Sequence, residues 1–362
     1  MKDDSSGHTL SRVRDRALPR ESTWRIAGNS RAFAHRFPSG VHMRLCVNWL
    51  PVRRELTRAV AERAEAAGLW GMGVGDSPHY GELYSACADA LAATSRLTIS
   101  TSVTNPVTRH PSVHISAARS FQNAYPGRFR LGVGRGDSAV HTFGLKPAPL
   151  KDLRGTIETI KHDVPDVPVL VAASGPATAR LAGRVADGVI AGVGADRGAL
   201  RMITEEGTAA QPGRGTPWQV WASVRLAVTQ DEAHRTSLRR RMLPRAISAA
   251  HFAFASTMAG KNVPPDFADV LTRRFAAYDY DWHGRSGATP NAALFADRPD
   301  VEDYLLDRFV VCGTAEECRD RLLKLADVVD GIYLSLLFEE ALDQLPLIGA
   351  LFGAAELTAP GQ

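Results

Sequence analysis

The chain has 362 residues, of which 44% are hydrophobic and 23% are charged, and its formal net charge is +4. This composition is typical of a globular protein with a full core, and no apolar run reaches the roughly 18 residues of a membrane-spanning helix. Residues 1–42 alone carry the positive excess, so the basic balance gives no reason to expect nucleic acid binding. We expect reduced thiols in a cytoplasmic protein, because the four cysteines lack the spacing of a zinc site: Cys46, Cys87, Cys312 and Cys318.

The first 42 residues differ from the rest of the chain. They show neither helical nor strand periodicity, and they lack the apolar segment of a secretory signal. Met43 directly precedes the first convincing strand, so two interpretations stay open: residues 1–42 are a disordered tail, or they are a leader upstream of a native start at Met43. We expect one domain over residues 43–352 and a short tail over residues 353–362.

Strand and helix patterns alternate from Met43 onward. The predicted strands are Leu45–Trp49, Leu69–Gly75, Leu97–Val103, Arg128–Gly134, Val167–Ala173, Gly188–Gly192, Gln219–Val228 and Gly331–Leu336. The predicted helices between and after them are Arg53–Ala67, Gly81–Thr94, Pro111–Ala124, Leu150–Lys161, Pro176–Arg184, Arg197–Glu206, Ala315–Leu325 and Glu339–Leu351. Repeated strand–helix units of this kind predict a single-domain (β/α)8 TIM barrel.

Residues 231–309 interrupt the alternation. They contain the helical stretches Glu232–Met258 and Phe267–Tyr278 and a polar, aromatic loop that ends with Trp282 and His283. We expect this helical insertion after the seventh strand to be a lid, a dimer arm or a wall of the substrate site rather than a second domain. An open doubly wound sheet is the alternative architecture, but the glycine spacing in Gly132–Gly136 does not match a dinucleotide-binding loop.

The ends of the predicted strands are where a barrel enzyme places its active site. They are rich in glycines, small hydroxyls and amides, without the clustered His, Asp and Glu of a metallohydrolase or the nucleophile elbow of an α/β-hydrolase. Such a ring suits a large planar cofactor that carries a phosphate. Ser174-Gly175-Pro176 opens a helix, whose N-terminus can bind that phosphate, and Gly192-Val193-Gly194 can act in the same way.

Four charged or titratable residues at these ends are candidates for chemistry, each with an alternative. Asp76 is an acid or orienting group, or else the cap of the next helix. His79 is a proton donor or a loop residue, and His110 faces the cofactor or serves packing. Arg135 binds a phosphate or a substrate carboxylate, or else forms a salt bridge.

Several of these segments together resemble the luciferase-like monooxygenase superfamily, and within it the coenzyme F420-dependent methylenetetrahydromethanopterin reductase-like oxidoreductases. The segments that carry the resemblance are Gly75-Asp76-Ser77, residues 104–111, residues 131–140, residues 144–147, residues 167–176 and residues 181–189. Two departures are visible: residues 160–166 run almost directly into the fifth strand, and Ser77 stands where some F420 enzymes have a histidine after the aspartate.

The resemblance implies a barrel that binds F420, or alternatively FMN, at the strand ends. It places a cis non-prolyl peptide at Ser102-Val103, Asp76 near the reactive ring, and phosphate loops at Ser174, Gly175, Gly192 and Val193. The full set of expected cofactor contacts is Asn48, Ser102, Val103, Thr104, Asn105, Gly134, Arg135, Gly136, Ser174, Gly175, Gly192 and Val193, and the expected catalytic residues are Asp76, His79 and His110.

Three functions follow as hypotheses. The first is hydride transfer between F420 and a small organic substrate, the second is FMN-dependent oxygenation served by a separate flavin reductase, and the third is flavin binding without turnover. We expect a cytoplasmic homodimer that acts on a small molecule and binds neither nucleic acid nor a membrane.

Overall fold

Strands followed by helices form the centre of the protein, as the sequence predicts. A computed structural model describes residues 35–36, 42–77, 79–213, 218–254, 256–285 and 287–351. Its strands are β1 (His35–Arg36), β2 (His42–Trp49), β3 (Gly71–Val74), β4 (Thr98–Thr101), β5 (Phe129–Val133), β6 (Val169–Ala173), β7 (Gly188–Ala191), β8 (Gln219–Val228), β9 (Val310–Gly313) and β10 (Gly331–Ser335).

The parallel strands close into a barrel. The hydrogen-bonded order is β2-β10-β8-β7-β6-β5-β4-β3, and a further pairing of β2 with β3 completes the circle. Along β10, Ser335 lies opposite Asn48 of β2 on one side and Arg225 of β8 on the other. The (β/α)8 TIM-barrel architecture is therefore confirmed, and the carboxyl ends of all these strands open on one face.

Helices surround the barrel. They are α1 (Arg54–Ala66), α2 (Leu83–Ala93), α3 (Pro111–Ala124), α4 (Ser138–His141), α5 (Leu150–Asp163), α6 (Pro176–Val185), α7 (Arg197–Ala209), α8 (Glu232–Phe254), α9 (Pro265–Phe275), α10 (Pro299–Phe309), α11 (Ala315–Leu323) and α12 (Ala341–Leu351). Pro111 and Pro176 occupy first helical positions, where the missing proline N–H has no intrahelical role. In the described part of the chain, no helix is both long and apolar enough to cross a membrane.

Successive side chains of each strand point alternately toward the surrounding helices and into the barrel, so the protein has an outer core and a separate barrel interior. Leu45 and Val47 of β2 pack against the helices, whereas Cys46 lies inside the barrel in a buried plug. The other fully or nearly fully buried members of this plug are Leu170, Ile190, Trp221 and Tyr333. The plug closes the lower part of the barrel, so that only the carboxyl-terminal half is left for a ligand.

The region after β8 has a core of its own. Helices α8, α9 and α10 pack together around buried side chains such as Phe254, Phe295 and Phe309. Strand β9, which the sequence analysis missed, pairs in parallel with the last residues of β8. Helix α8 ends at Phe254 rather than at the predicted Met258. This region forms a wall beside the barrel mouth, because Ser248, His251 and Phe252 of α8 face the cavity described below.

The amino-terminal boundary differs from the prediction in one respect. The first barrel strand begins at His42, and the short strand β1 pairs with it antiparallel, with His35 opposite Met43. The other residues of the predicted leader, and the tail from residue 353, lie outside the described residues.

Candidate active site

A cavity of about 710 Å³ opens at the carboxyl ends of the barrel strands. This volume is in the range of small-molecule and cofactor sites. The expected site residues that line it are Asn48, Asp76, Ser102, Val103, Thr104, Asn105, Gly134, Arg135, Gly136, Ser174, Gly175 and Gly192. The strand ends that were singled out in the sequence therefore meet around one space.

A bulge after β4 forms one wall of the cavity. The Ser102–Val103 peptide bond is cis, as the resemblance implied. Beyond it, the Thr104 N–H donates to the Gly132 carbonyl at 3.0 Å, and the Gly134 N–H donates to the Thr104 carbonyl at 2.8 Å. A Cβ on Gly134 would lie only 3.0 Å from Val103 Cγ2, so the glycine lets the bulge pack closely on β5. The result is a fixed wall made of backbone and small side chains.

Asn105 supports this wall more than it faces a ligand. Its side-chain oxygen accepts hydrogen bonds from the N–H groups of Val107 and Thr108, at 3.0 and 2.9 Å. Its Nδ2 is buried, and among the described residues it has no hydrogen-bond partner. The amide nitrogen is thus the part of Asn105 that remains for a ligand.

Asp76 lies on the cavity wall as one half of an ion pair. Its Oδ2 contacts the Arg109 guanidinium and accepts a 3.2 Å hydrogen bond from Thr104 Oγ1. Burial raises the pKa of the Asp76 carboxyl above its ordinary value, and the charge of Arg109 opposes that rise. The alternative role as a helix cap is wrong, since Glu82 caps α2 through the Ser85 N–H at 2.7 Å.

Three of the expected site residues do not reach the cavity. His79 is exposed. His110 is exposed and caps α3, where its Nδ1 accepts from the Ser112 N–H at 3.3 Å. Val193 is fully buried in the outer core. The structure therefore does not bring the two predicted histidines to the place where chemistry would occur.

Gly175 is the N-cap residue of α6 and leaves room for a ligand. Its φ of −149° suits any residue, and a Cβ there would meet no described protein atom closer than 3.9 Å. Neither backbone conformation nor packing therefore requires glycine at this position. The nearest atoms to that Cβ include Nζ of Lys261, a fully buried lysine whose ammonium donates to the Ala253 carbonyl. An open space beside a helix N-terminus and an ammonium can accept an anionic group such as a phosphate.

Gly192 has a different explanation. A Cβ at this position would overlap the ring of Phe252 on α8. The glycine lets α8 approach the end of β7, so it shapes the cavity through packing. Arg135 lies exposed at the mouth, where its Nε donates to the Ala148 carbonyl at 2.6 Å.

Residues from β8 and from the region after it complete the site. A wall of the substrate site was one of the roles expected for the region after β8, which holds His283, but the individual lining residues were not among the expected cofactor contacts or catalytic residues. Arg225, Arg245, Ser248, His251 and His283 all line the cavity. A signal was present for one of them: alternation along β8 puts Trp221, Ser223 and Arg225 on the inward face. The others come from helix and loop positions whose orientation depends on how α8 docks.

Two histidines among them are held neutral by burial. Burial lowers the pKa of His251 to about 4 and that of His283 to about 3. The His283 ring shares a 2.7 Å hydrogen bond with the Tyr278 hydroxyl, which also donates to Ser248 Oγ at 3.0 Å. His251 stacks on Tyr278, and its buried Nδ1 has no partner among the described residues. Both imidazoles are therefore neutral at pH 7, where they can serve as hydrogen-bonding groups toward a ligand but are weak bases.

Comparison with known proteins agrees with this geometry. The chain is 26% identical over 297 residues to 5,10-methylenetetrahydromethanopterin reductase of Methanolobus tindarius, which covers 74% of this chain and 86% of that protein. It is 36% identical over 135 residues to an F420-dependent glucose-6-phosphate dehydrogenase of Microbacterium testaceum, but that match spans 29% of this chain and only 40% of the relative.

Solved structures support the same fold. The coenzyme F420-dependent tetrahydromethanopterin reductase of Methanopyrus kandleri superposes with a TM-score of 0.67 at 16% identity, over 85% of this chain and 97% of that one. The profile described as luciferase-like monooxygenase matches residues 51–162 and 149–330, which is most of the barrel. The chain therefore belongs to the luciferase-like monooxygenase family.

Proposed function

We propose that this protein is an oxidoreductase that binds coenzyme F420 in the cavity and transfers a hydride between it and a small organic substrate. The observation that carries the proposal is the open space at Gly175, beside the N-terminus of α6 and the buried Lys261 ammonium. Two relatives matched by sequence are an F420-dependent dehydrogenase and a methylenetetrahydromethanopterin reductase, which favours F420 over FMN. The cofactor itself supplies the hydride-carrying ring.

The chain offers a separate surface for each part of that cofactor. Ser174, Gly175 and the first N–H groups of α6 would hold the phosphate, with Lys261 behind them. The bulge at Ser102 and Val103 would support the flat ring, because its backbone is fixed and its side chains are small. Helix α8 would exclude water from the opposite side through Phe252 and Ala249.

The polar groups that face the reacting space include two histidines that were not among the expected catalytic residues. Asp76 is held by Arg109 and Thr104, so it keeps a fixed position at the wall and orients what lies beside it. His251 and His283 are neutral and face the same space, so each can form a hydrogen bond with a substrate hydroxyl and orient it. The burial that lowers their pKa values makes them weak bases, so they position the hydroxyl rather than hold its proton.

FMN-dependent oxygenation is the second candidate, and the family to which the chain belongs favours it. The two functions differ in their need for oxygen. We expect the protein to reoxidise reduced F420 without oxygen when a fractionated small-molecule extract of its host is added. Oxygen uptake with reduced FMN, in the absence of any F420 turnover, would establish the second candidate instead, and binding without either reaction would favour a non-catalytic role.

A further inference from the structure

We propose that the cavity carries an oxyanion-binding pole formed by Arg225 and Arg245, and that the substrate is a small organic acid whose charged group docks there. The group recognised is a carboxylate, sulfonate or phosphate ester. This inference rests on the proposed function, because it names the substrate class of the same cavity.

Arg225 is a cation without a counter-ion in the described structure. It lies near the end of β8 and lines the cavity. Among the described residues, the structure gives its guanidinium neither a hydrogen bond nor an ion pair. Burial, together with the neighbouring charge of Arg245, lowers the pKa of Arg225 to about 10, so it remains charged at neutral pH. Arg225 is partly buried and opens on the cavity. An unpaired charge that is partly removed from water costs stability, and an anionic ligand would offset that cost.

Arg245 of α8 adds a second positive charge to the same wall. One of its Nη atoms donates to the Leu336 carbonyl at 2.6 Å, and the guanidinium carbon lies 4.4 Å from the centre of the Phe338 ring. Its Nε is buried and has no partner in the described residues. Glu339 is the carboxylate whose charge acts on the Arg245 guanidinium, but it already forms an ion pair with Arg241 at 2.7 Å. The two cavity arginines are thus left without a neutralising partner.

Other arginines near the barrel mouth are arranged differently. Arg109 is paired with Asp76 and Glu82, and Arg308 lies 3.5 Å from Asp196. Arg135 also lines the cavity without an ion pair among the described residues, but it is exposed at the mouth. Arg225 and Arg245 are the cavity arginines that are shielded from solvent and lack a carboxylate partner in the described structure. Guanidinium groups form bidentate hydrogen bonds with carboxylates, sulfonates and phosphates, which makes an oxyanion the matching ligand.

The oxyanion-binding pole and the open space at Gly175, which is called the phosphate space below, lie on different arcs of the barrel. Gly175 follows β6, whereas Arg225 belongs to β8, and β7 lies between these strands. On its other side Arg225 is in register with Ser335, whose hydroxyl accepts a 3.2 Å hydrogen bond from Asn48 Nδ2. Arg225, Ser335 and Asn48 form a polar row across β8, β10 and β2 on the cavity floor. An acid group on Arg225 would place the rest of a small substrate over this row.

Sulfate and acetate serve as probes, with acetamide as the neutral counterpart of acetate, at constant ionic strength. Thermal unfolding and calorimetric titration are measured for the wild type, for Arg225→Gln, and for the control Arg240→Gln, which removes the same charge from an exposed position of α8. We expect both anions to raise the melting temperature of the wild type and the control. The anion affinity of Arg225→Gln should fall at least tenfold, and acetamide should have no effect on any form.

The fold of Arg225→Gln is not at risk, since the substitution removes an unpaired charge. Its melting temperature without anions should equal or exceed that of the wild type. Equal anion binding by Arg225→Gln and the wild type would overturn the proposal and point to the phosphate space at Gly175. Loss of the Arg225-dependent effect when F420 saturates the protein would also overturn it, because the pole would then serve the cofactor.

Titration with F420 keeps this test separate from that of the proposed function. We expect Arg225→Gln to bind F420 as the wild type does. Arg225-dependent anion binding in a protein that does not bind F420 would support the acid-binding pole and refute the choice of cofactor. Normal F420 binding without Arg225-dependent anion binding would refute the pole alone.

Discussion

At the scale of single residues, the candidate site depends on which polar groups are already bound to protein partners. Asp76 is committed to Arg109 and Thr104, and Asn105 uses its oxygen within its own turn. His251 Nδ1, Asn105 Nδ2 and Asn48 Oδ1 are buried and have no partner among the described residues. Because buried polar groups usually have partners, these atoms mark where ligand contacts are to be sought.

The first prediction concerns Asp76. The Asp76→Asn variant keeps the size of the side chain but removes the charge that holds Arg109. We expect turnover to fall by roughly 10²-fold because the group that orients the substrate is no longer held in place, with F420 affinity within about twofold of the wild type. The unfolding free energy should fall by about 1–3 kcal/mol, because a partly buried guanidinium loses a partner. Steady-state kinetics and urea denaturation measure the two effects.

The control for Asp76 is Asp89→Asn. Asp89 is ion-paired with Arg54 at 2.8 Å on the outer surface of the barrel, so its loss should leave turnover unchanged. Wild-type turnover in Asp76→Asn would show that this carboxylate only holds Arg109 in place.

The second prediction concerns the space at Gly175. Gly175→Glu should fold, because its Cβ meets no described atom closer than 3.9 Å. The added carboxylate would occupy and charge the space assigned to the phosphate, so F420 affinity should fall at least tenfold, roughly 1.4 kcal/mol. Gly155→Glu introduces the same group at an exposed position of α5, and its fluorescence titration should match that of the wild type. Identical titration curves for the two variants would refute the phosphate assignment.

Residue identities at the site were predictable to different degrees. Glycines and small hydroxyl residues at strand ends, such as Gly134 and Ser174, could be assigned to the site from the local sequence pattern. The carboxyl ends of all barrel strands open on the same face, so a residue at such an end lies beside the cavity. The inward orientation of Arg225 could be predicted from the alternation of side chains along β8. The orientation of His251 and His283 could not, since it depends on the packing of α8 and of the loop after α9. His79 and His110 show the reverse error: they are close in sequence to the site but point to solvent.

At the scale of elements, contacts between neighbouring helices fix the outer layer. Gly183 of α6 faces the backbone of Gly207 on α7 so closely that a Cβ would overlap its carbonyl oxygen. We expect Gly183→Ala to lower the unfolding free energy by about 1–3 kcal/mol through overpacking. Gly155→Ala on α5 has open space and should instead raise it by about 0.5–1 kcal/mol through helix propensity. Urea denaturation measures the unfolding free energy of both variants. A Gly183→Ala variant as stable as the wild type would disprove the close packing of α6 against α7.

The contact between α2 and α3 predicts a pH dependence. Buried His114 shares a 2.6 Å hydrogen bond with the Tyr84 hydroxyl, and burial lowers its pKa to about 4. Between that value and the ordinary pKa of about 6.5, the unfolded chain binds more protons than the folded one, so stability falls as pH falls. Relative to pH 7, the wild type should lose about 2 kcal/mol at pH 5 through this group.

His114→Gln removes this titration, so the loss of stability between pH 7 and pH 5 should be smaller by that amount. His162 is exposed on α5, and His162→Gln should leave the pH dependence unchanged. The same loss in His114→Gln as in the wild type would place the acid sensitivity elsewhere.

Elements were easier to predict than their arrangement beside the barrel. The strands β2–β8 and β10 follow from apolar runs that are buried on both faces of a parallel sheet. Strand β9 has the same character, but Val310–Gly313 continues directly from α10 without a turn signal, so the pattern merges with the helix. The region after β8 forms its own core, and its local sequence pattern does not indicate which of its helices faces the cavity.

At the scale of the whole molecule, barrel closure makes a site from residues that are distant in sequence. Asn48 and Ser335 are 287 residues apart and share a hydrogen bond on the cavity floor. The buried plug below them limits ligands to the carboxyl-terminal half of the barrel. We predict that one cofactor molecule fills the arc from Ser102 to Gly175, while an acidic substrate reaches the arc at Arg225.

The most direct test of this account is equilibrium titration of the purified protein with oxidised F420 and with FMN, followed by fluorescence and calorimetry. We predict saturable binding of one F420 per chain, at least tenfold tighter than FMN, and lost in Gly175→Glu but not in Gly155→Glu. Tighter binding of FMN, or F420 binding that is unaffected by Gly175→Glu, would contradict the account.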